Sequence, residues 1–211
     1  MKNKPKIIFI IGMHRSGTSL LSNCLIKNGF SLGITKNKDK DLQNPNGYFE
    51  NDAFTKFHEY VLLAYNDSKW HAITKKKMKY TQHQVSLYRQ MLKSEFPNEQ
   101  LLLIKDPRLT FFIDFLKEVC IEYEYYFLFL TRNKVECCNS LNKAQGISLQ
   151  KCSVLYDKIT DNYSKEFLMI NHNDIINRNN IVMKNIANYC NIELNNETTN
   201  LVDMKLYRNR I

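Results

Sequence analysis

Four short runs of the chain are apolar at consecutive positions rather than at alternate ones: Ile7 to Ile11, Leu101 to Ile104, "YYFLFLT" (125 to 131) and Phe167 to Ile170. Runs of this length, rich in β-branched and aromatic residues, predict strands buried on both faces. Between them the apolar residues recur every three or four positions, which predicts helices. Gly17 to Asn28 carries Leu20, Leu21, Cys24 and Leu25 on one side and stops at Gly29. Ala53 to Tyr65 is amphipathic through Phe54, Phe57, Val61 and Leu62. Further helices are expected over Gln82–Ser94, Thr110–Val119, Asn133–Lys143, Leu149–Tyr163 and Asn179–Cys190. Residues 31 to 49 are polar and turn-rich, and "KWHAITKKKMKY" (69 to 80) is basic with poor periodicity, so both read as loops. Strands alternating with helices predict an α/β fold: a single doubly wound parallel sheet flanked by helices. With no repeats and no linker, residues 1 to 211 are expected to form one domain. Ligands of such sheets bind beyond the carboxyl ends of the strands.

The first strand runs straight into "GMHRSGTSLL", and this is where the chemistry concentrates. Gly12 and Gly17 frame four residues, and the helix begins on Thr18 and Ser19. A buried strand, a glycine-rich turn and a helix N-terminus in that order form an anion-binding loop, whose amides converge on one phosphate or sulfate with help from the helix dipole. Nucleotide kinases place a lysine after the second glycine for the β- and γ-phosphates and hold Mg²⁺ with a carboxylate. Here Thr18 replaces that lysine, while Arg15 lies inside the loop. The nearest strand-end carboxylate, Asp106, is followed by Pro107. A phosphoryl-transfer enzyme, such as a nucleotide or sugar kinase, is therefore the secondary reading, and a non-catalytic nucleotide-binding protein of the same fold is a third.

Composition narrows the field only modestly. The chain is 44% hydrophobic and 24% charged, as in an ordinary globular protein, and its net charge of +9 favours anionic partners. Basic residues interleaved with aromatics on one face are sparse, so nucleic acid is not the expected partner. Six cysteines without C-x-x-C spacing read as reduced packing residues, which points to the cytoplasm. Neither a signal peptide nor an apolar stretch of spanning length is apparent, and oligomeric state is not legible.

"GMHRSGTSLL" resembles the 5′-phosphosulfate loop of sulfotransferases that use 3′-phosphoadenosine-5′-phosphosulfate (PAPS), where Arg or Lys occupies the place of Arg15. "FLFLTRNKVECCNSL" resembles the second signature of that family, with Arg132 and Ser140 at the positions that bind the 3′-phosphate of the donor. "LLIKDPRLTFF" is similar to a strand-end element of several branches, "NPNGYFEN" to a loop of bacterial and Golgi-type members, and "LMINHNDIINRNN" to a degraded strand-and-helix element. The similarity spans most of residues 6 to 195. The C-terminal "RKG" loop of cytosolic mammalian members is absent, Asn173 stands where a glutamate would be expected, and the chain is short for the family.

The resemblance implies a P-loop NTPase-like sulfotransferase fold and transfer of a sulfuryl group from PAPS to an acceptor hydroxyl, on a small molecule or a glycan, without a metal. His14, Arg15, Ser16, Gly17, Thr18, Ser19, Arg132 and Ser140 would then bind the donor, and Arg15, Glu50 and Lys105 would carry catalysis. Arg15 is a permanent forked cation suited to the 5′-phosphate and the bridging oxygen. Lys105 closes a strand in the expected crevice, although Lys-Asp-Pro is also an ordinary solvated turn. Asp106 and Arg108 suit a structural ion pair. Glu50 matches a glutamate assigned as base in related enzymes; it could equally cap the helix that starts near Asp52. His58 and His71 are rival bases, since histidine titrates near neutrality. His14 and Trp70 read as structural, and the lysines at 75 to 79 as a solvated face.

Overall fold

The computed structural model of the chain describes residues 4–36, 47–66, 78–177 and 179–194. Four strands, β1 (Lys6–Gly12), β2 (Leu101–Lys105), β3 (Glu124–Thr131) and β4 (Leu168–Asn171), form one parallel sheet in the order β2-β1-β3-β4. Eight helices among the described residues flank it: α1 (Thr18–Lys27), α2 (Asp52–Asn66), α3 (Gln82–Glu95), α4 (Ile113–Val119), α5 (Lys134–Gln145), α6 (Leu149–Thr160), α7 (His172–Asn177) and α8 (Asn179–Cys190). A parallel sheet needs crossovers on its faces, so its strands are buried on both sides and read as continuous apolar runs.

β1 shows the consequence. Ile7, Phe9 and Ile11 join a core with α2, α3, α4, α5 and α6, whereas Ile8 and Ile10 join a second core with α1, α7 and α8. The two sets alternate because successive strand side chains point to opposite faces. All five residues are fully buried, each burial stabilising by about 1.5–3 kcal/mol. Central placement of β1 brings the loop that follows it between the carboxyl ends of β2 and β3.

One expected helix is divided. Instead of a continuous helix over Thr110–Val119, a 3-10 segment spans Pro107–Phe111 and α4 starts only at Ile113. The Asp106 carboxylate accepts from the Arg108 amide, and Pro107 supplies the fixed φ of a first helical position. The short α7 was not anticipated: Asn171 Oδ1 accepts from the Asn173 amide at 2.9 Å and turns the chain directly off β4. Trp70, His71 and the lysines at 75 to 77 lie outside the described residues.

Candidate active site

The loop between β1 and α1 is built on unusual backbone. Ser16 N donates to Met13 O at 3.1 Å, and Arg15 adopts a left-handed φ of 68°, a sparsely populated conformation for a non-glycine residue that is often held at functional sites. Gly17 caps α1 with φ 100° and no side-chain cap hydrogen bond, so the first-turn amides keep their capacity for an anion. A Cβ at Gly17 would stand 2.4 Å from His172 Cδ2, at the start of α7. The Ser16 hydroxyl is fully buried and has no hydrogen-bond partner among the described residues.

Two residues of the crossover that follows β3 meet this loop. Arg15 Nε donates to Ser140 Oγ at 3.1 Å, and Arg132 Nη1 donates to the Arg15 carbonyl at 3.0 Å. Arg132 is aimed by neighbours that the sequence reading passed over. Its Nε donates to Glu136 Oε2 at 2.8 Å, one helical turn on, and its own carbonyl accepts from Tyr156 OH at 2.7 Å. The i,i+4 spacing of Arg132 and Glu136 was the available signal. Arg15, Arg132 and Ser140, which stand far apart in sequence, thus form one contiguous cationic and hydroxyl surface.

On the other flank, the backbone of residues 47–51 folds over the end of β2. Lys105, only 4% exposed, donates through Nζ to Glu50 Oε1 at 2.5 Å and to Tyr48 O at 3.1 Å. Ser19 Oγ donates to the same Tyr48 carbonyl at 3.3 Å. The first turn of α1, the end of β2 and the Glu50 segment therefore meet at Tyr48. Glu50 is not the cap of α2: that role belongs to Asn51, whose Oδ1 accepts from the amides of Ala53 and Phe54.

Of the two rival histidines, His58 lies among the described residues. His58 is fully buried, with Nδ1 2.9 Å from Asp106 Oδ2 and Nε2 3.1 Å from Tyr88 OH. Asp106 accepts at Nδ1 and Tyr88 donates to Nε2, which sets a neutral Nδ1–H tautomer. Burial outweighs Asp106 and pushes the imidazole below its ordinary range. The His58 ring packs against Phe57, Phe112 and Tyr88. Despite its burial, Asp106 is held well below the usual carboxylate range by Arg108 and His58, and Arg108 Nε reaches both of its oxygens at 2.8 and 3.0 Å. That carboxylate, the one a magnesium-dependent reading would have needed, is committed to the strand-end turn. His14 is lowered to about 3 by desolvation and lies within the fields of Asp106, Lys105, Arg108 and Arg15. His172 is lowered to about 4, first by burial and then by Arg132. Both imidazoles are neutral at pH 7. All six cysteines are buried free thiols. No helix among the described residues is long and apolar enough to cross a membrane, and no cluster of three or more potential metal ligands occurs there.

Solved structures of similar fold point one way. The sulfotransferase domain from the Synechococcus PCC 7002 olefin synthase superposes with a TM-score of 0.57 at 15% identity, over 95% of this chain and 78% of that one. Sulfotransferase STF9 from Mycobacterium avium gives 0.62 at 12% identity, over 93% of this chain and 66% of that one. A sulfotransferase from Alicyclobacillus acidocaldarius gives 0.51 at 12% identity, over 94% and 87% respectively. At such identities these likenesses speak for the fold, a P-loop NTPase-like one. No curated protein matches the chain at a significant level. The sequence profile of the sulfotransferase family, however, matches residues 5–196, and on that match, which takes in the loop after β1, Glu50, Lys105 and Arg132 together, the chain belongs to the sulfotransferase family.

Proposed function

We propose that this sulfotransferase uses PAPS as donor and transfers its sulfuryl group to an acceptor hydroxyl, with a carbohydrate as the expected acceptor class. The observation that carries the reading is the joining of two anion sites: Arg15 in the β1–α1 loop touches Ser140, and Arg132 touches the backbone of Arg15. A donor with a 5′-phosphosulfate and a 3′-phosphate needs such a pair. The residues fit it. The uncapped amides of α1, the buried Ser16 hydroxyl and the glycine that leaves no room for a side chain suit the 5′ group, and Arg132 with Ser140 suits the 3′-phosphate.

PAPS, when bound, supplies an activated sulfur whose leaving group is adenosine 3′,5′-bisphosphate. The acceptor oxygen forms the new S–O bond as the bond to the bridging oxygen breaks, and that oxygen keeps the electron pair. Arg15 offsets the charge that gathers there. Lys105 has three ammonium donors. Tyr48 and Glu50 take two, and the third is the one that would meet a sulfuryl oxygen. Glu50 receives the acceptor proton, with Lys105 holding its carboxylate in place.

The test compares ligands and then removes the base. Adenosine 3′,5′-bisphosphate at about 100 times its Kd should stabilise the fold by about 2.7 kcal/mol, while ATP with Mg²⁺ at the same concentration does so weakly. Glu50→Gln should keep bisphosphate affinity and lower turnover of labelled PAPS by roughly 10²- to 10⁴-fold. Equal stabilisation by both nucleotides would return the kinase reading, and an active Glu50→Gln enzyme would remove Glu50 from the base role.

A further inference from the structure

Asn51, the residue after the candidate base, is 2% exposed and fully engaged. Its Nδ2 donates to Leu32 O and to Glu95 Oε2, each at 2.8 Å, and its Oδ1 accepts from Thr35 Oγ1 at 3.0 Å besides capping α2. The same Glu95 oxygen accepts from the Thr35 amide at 2.8 Å. Asp52 N donates back to Thr35 O at 3.0 Å, and Lys36 bridges Asn51 in antiparallel fashion. One buried carboxylate oxygen thus joins residue 35 to residue 51. Helix energetics do not account for Glu95. It ends α3, where a negative charge opposes the helix dipole, and it is only 8% exposed. A buried carboxylate in that place has a cost, and its bonds lead to Thr35 and Asn51, on the two sides of the neck where residues 35–36 and 51–52 meet.

We infer that Glu95 is a positioning residue for catalysis: acting through Asn51, it fixes the peptide that carries Glu50 and so sets the Glu50–Lys105 contact. This rests on the reading of Glu50 as the base. The donor is held elsewhere, by the β1–α1 loop and the β3–α5 junction, so loosening the neck should reach turnover without reaching donor affinity. A displacement of about 1 Å in a reacting group can cost on the order of 10²-fold in rate.

Three variants separate clamp from scaffold. Glu95→Leu removes the shared acceptor. Glu95→Gln can place its amide oxygen where Oε2 was and accept both donors again. Asn51→Asp keeps a good helix cap but turns a second carboxylate oxygen toward Leu32 O and Glu95. Turnover of labelled PAPS should fall at least tenfold in Glu95→Leu and in Asn51→Asp with the donor KM within twofold of the parent, and Glu95→Gln should recover most of that loss. Amide exchange over residues 47–51 should quicken in the same two variants and not in Glu95→Gln. The inference is overturned if exchange quickens while kcat is unchanged, if exchange is unchanged, or if bisphosphate affinity falls in step with kcat. Should Glu95→Leu not fold, Asn51→Asp with Glu95→Gln decides alone. A parent enzyme that transfers no sulfuryl group from PAPS would defeat the functional reading instead, and the exchange measurement would still report on the clamp.

Discussion

Two independent constraints meet at Gly17. Its φ of 100° is one that side chains rarely adopt, and His172 occupies the space a Cβ would need. Gly17→Ala should therefore destabilise the fold by about 1–3 kcal/mol, the usual range for overpacking, and weaken bisphosphate binding as the amides of α1 are displaced. Urea unfolding with and without the nucleotide measures both. Adding His172→Ala should return part of the stability, because the overlap is with a side chain, and leave the φ strain. Full stability in the single variant would show that the loop accommodates the methyl by shifting. Arg15 is strained in the same stretch and yet is the residue touching Ser140, so the loop holds its unusual backbone where the anion contacts converge. Its place inside the loop was legible because the missing lysine left a charge to be explained. Glu136 was legible only through its i,i+4 spacing from Arg132; Tyr156 and Glu95 were not, since each acts on a residue brought near by folding, and a lone Glu at the tail of an amphipathic helix looks like solvated surface.

At the scale of elements, the end of β2 is braced from two helices. Tyr88 of α3, His58 of α2 and Asp106 form a buried hydrogen-bonded line that ends on Arg108, and Lys105 is the residue before Asp106. His58→Leu should cost about 1–3 kcal/mol, the range for leaving buried hydrogen-bonding groups without their partner, since Arg108 still pairs with Asp106. His58→Asn can still donate from its amide to Asp106, so it should lose no more than about half of that and keep most of its turnover. Chemical denaturation and steady-state rates on both variants check this, and loss of the rate in His58→Asn without loss of stability would restore His58 as a base. The strands were readable from their unbroken apolar runs because both faces are covered. The divided helix after Lys105 was not, because the capping of Arg108 by Asp106 and the turn through Pro107 redirect a stretch whose periodicity continues. α7 was missed for a related reason: six residues are too few to show a period.

For the whole molecule, buried imidazoles tie stability to pH. His58 and His172 are both pushed below the ordinary value of 6.5, mainly by desolvation. Unfolding exposes them, so below about pH 6.5 the unfolded chain binds protons that the folded chain does not, and stability rises with pH. Each such proton contributes about 1.4 kcal/mol per pH unit. Tm should be level near pH 7.5 and fall as pH drops from 6.5 toward 4, the value to which His172 is lowered. His172→Asn should flatten that slope, and calorimetry across the range reads it; a Tm independent of pH between 7 and 4 would contradict the burial of both rings. The sheet also divides labour across its upper edge. Arg15 lies in the loop that follows β1 and Arg132 directly follows β3, whereas Glu50 belongs to a stretch fastened at Lys36 and Asn51. In engineering terms the segment that carries Glu50 is a separately mounted part, open to adjustment without rebuilding the framework that carries Arg15 and Arg132.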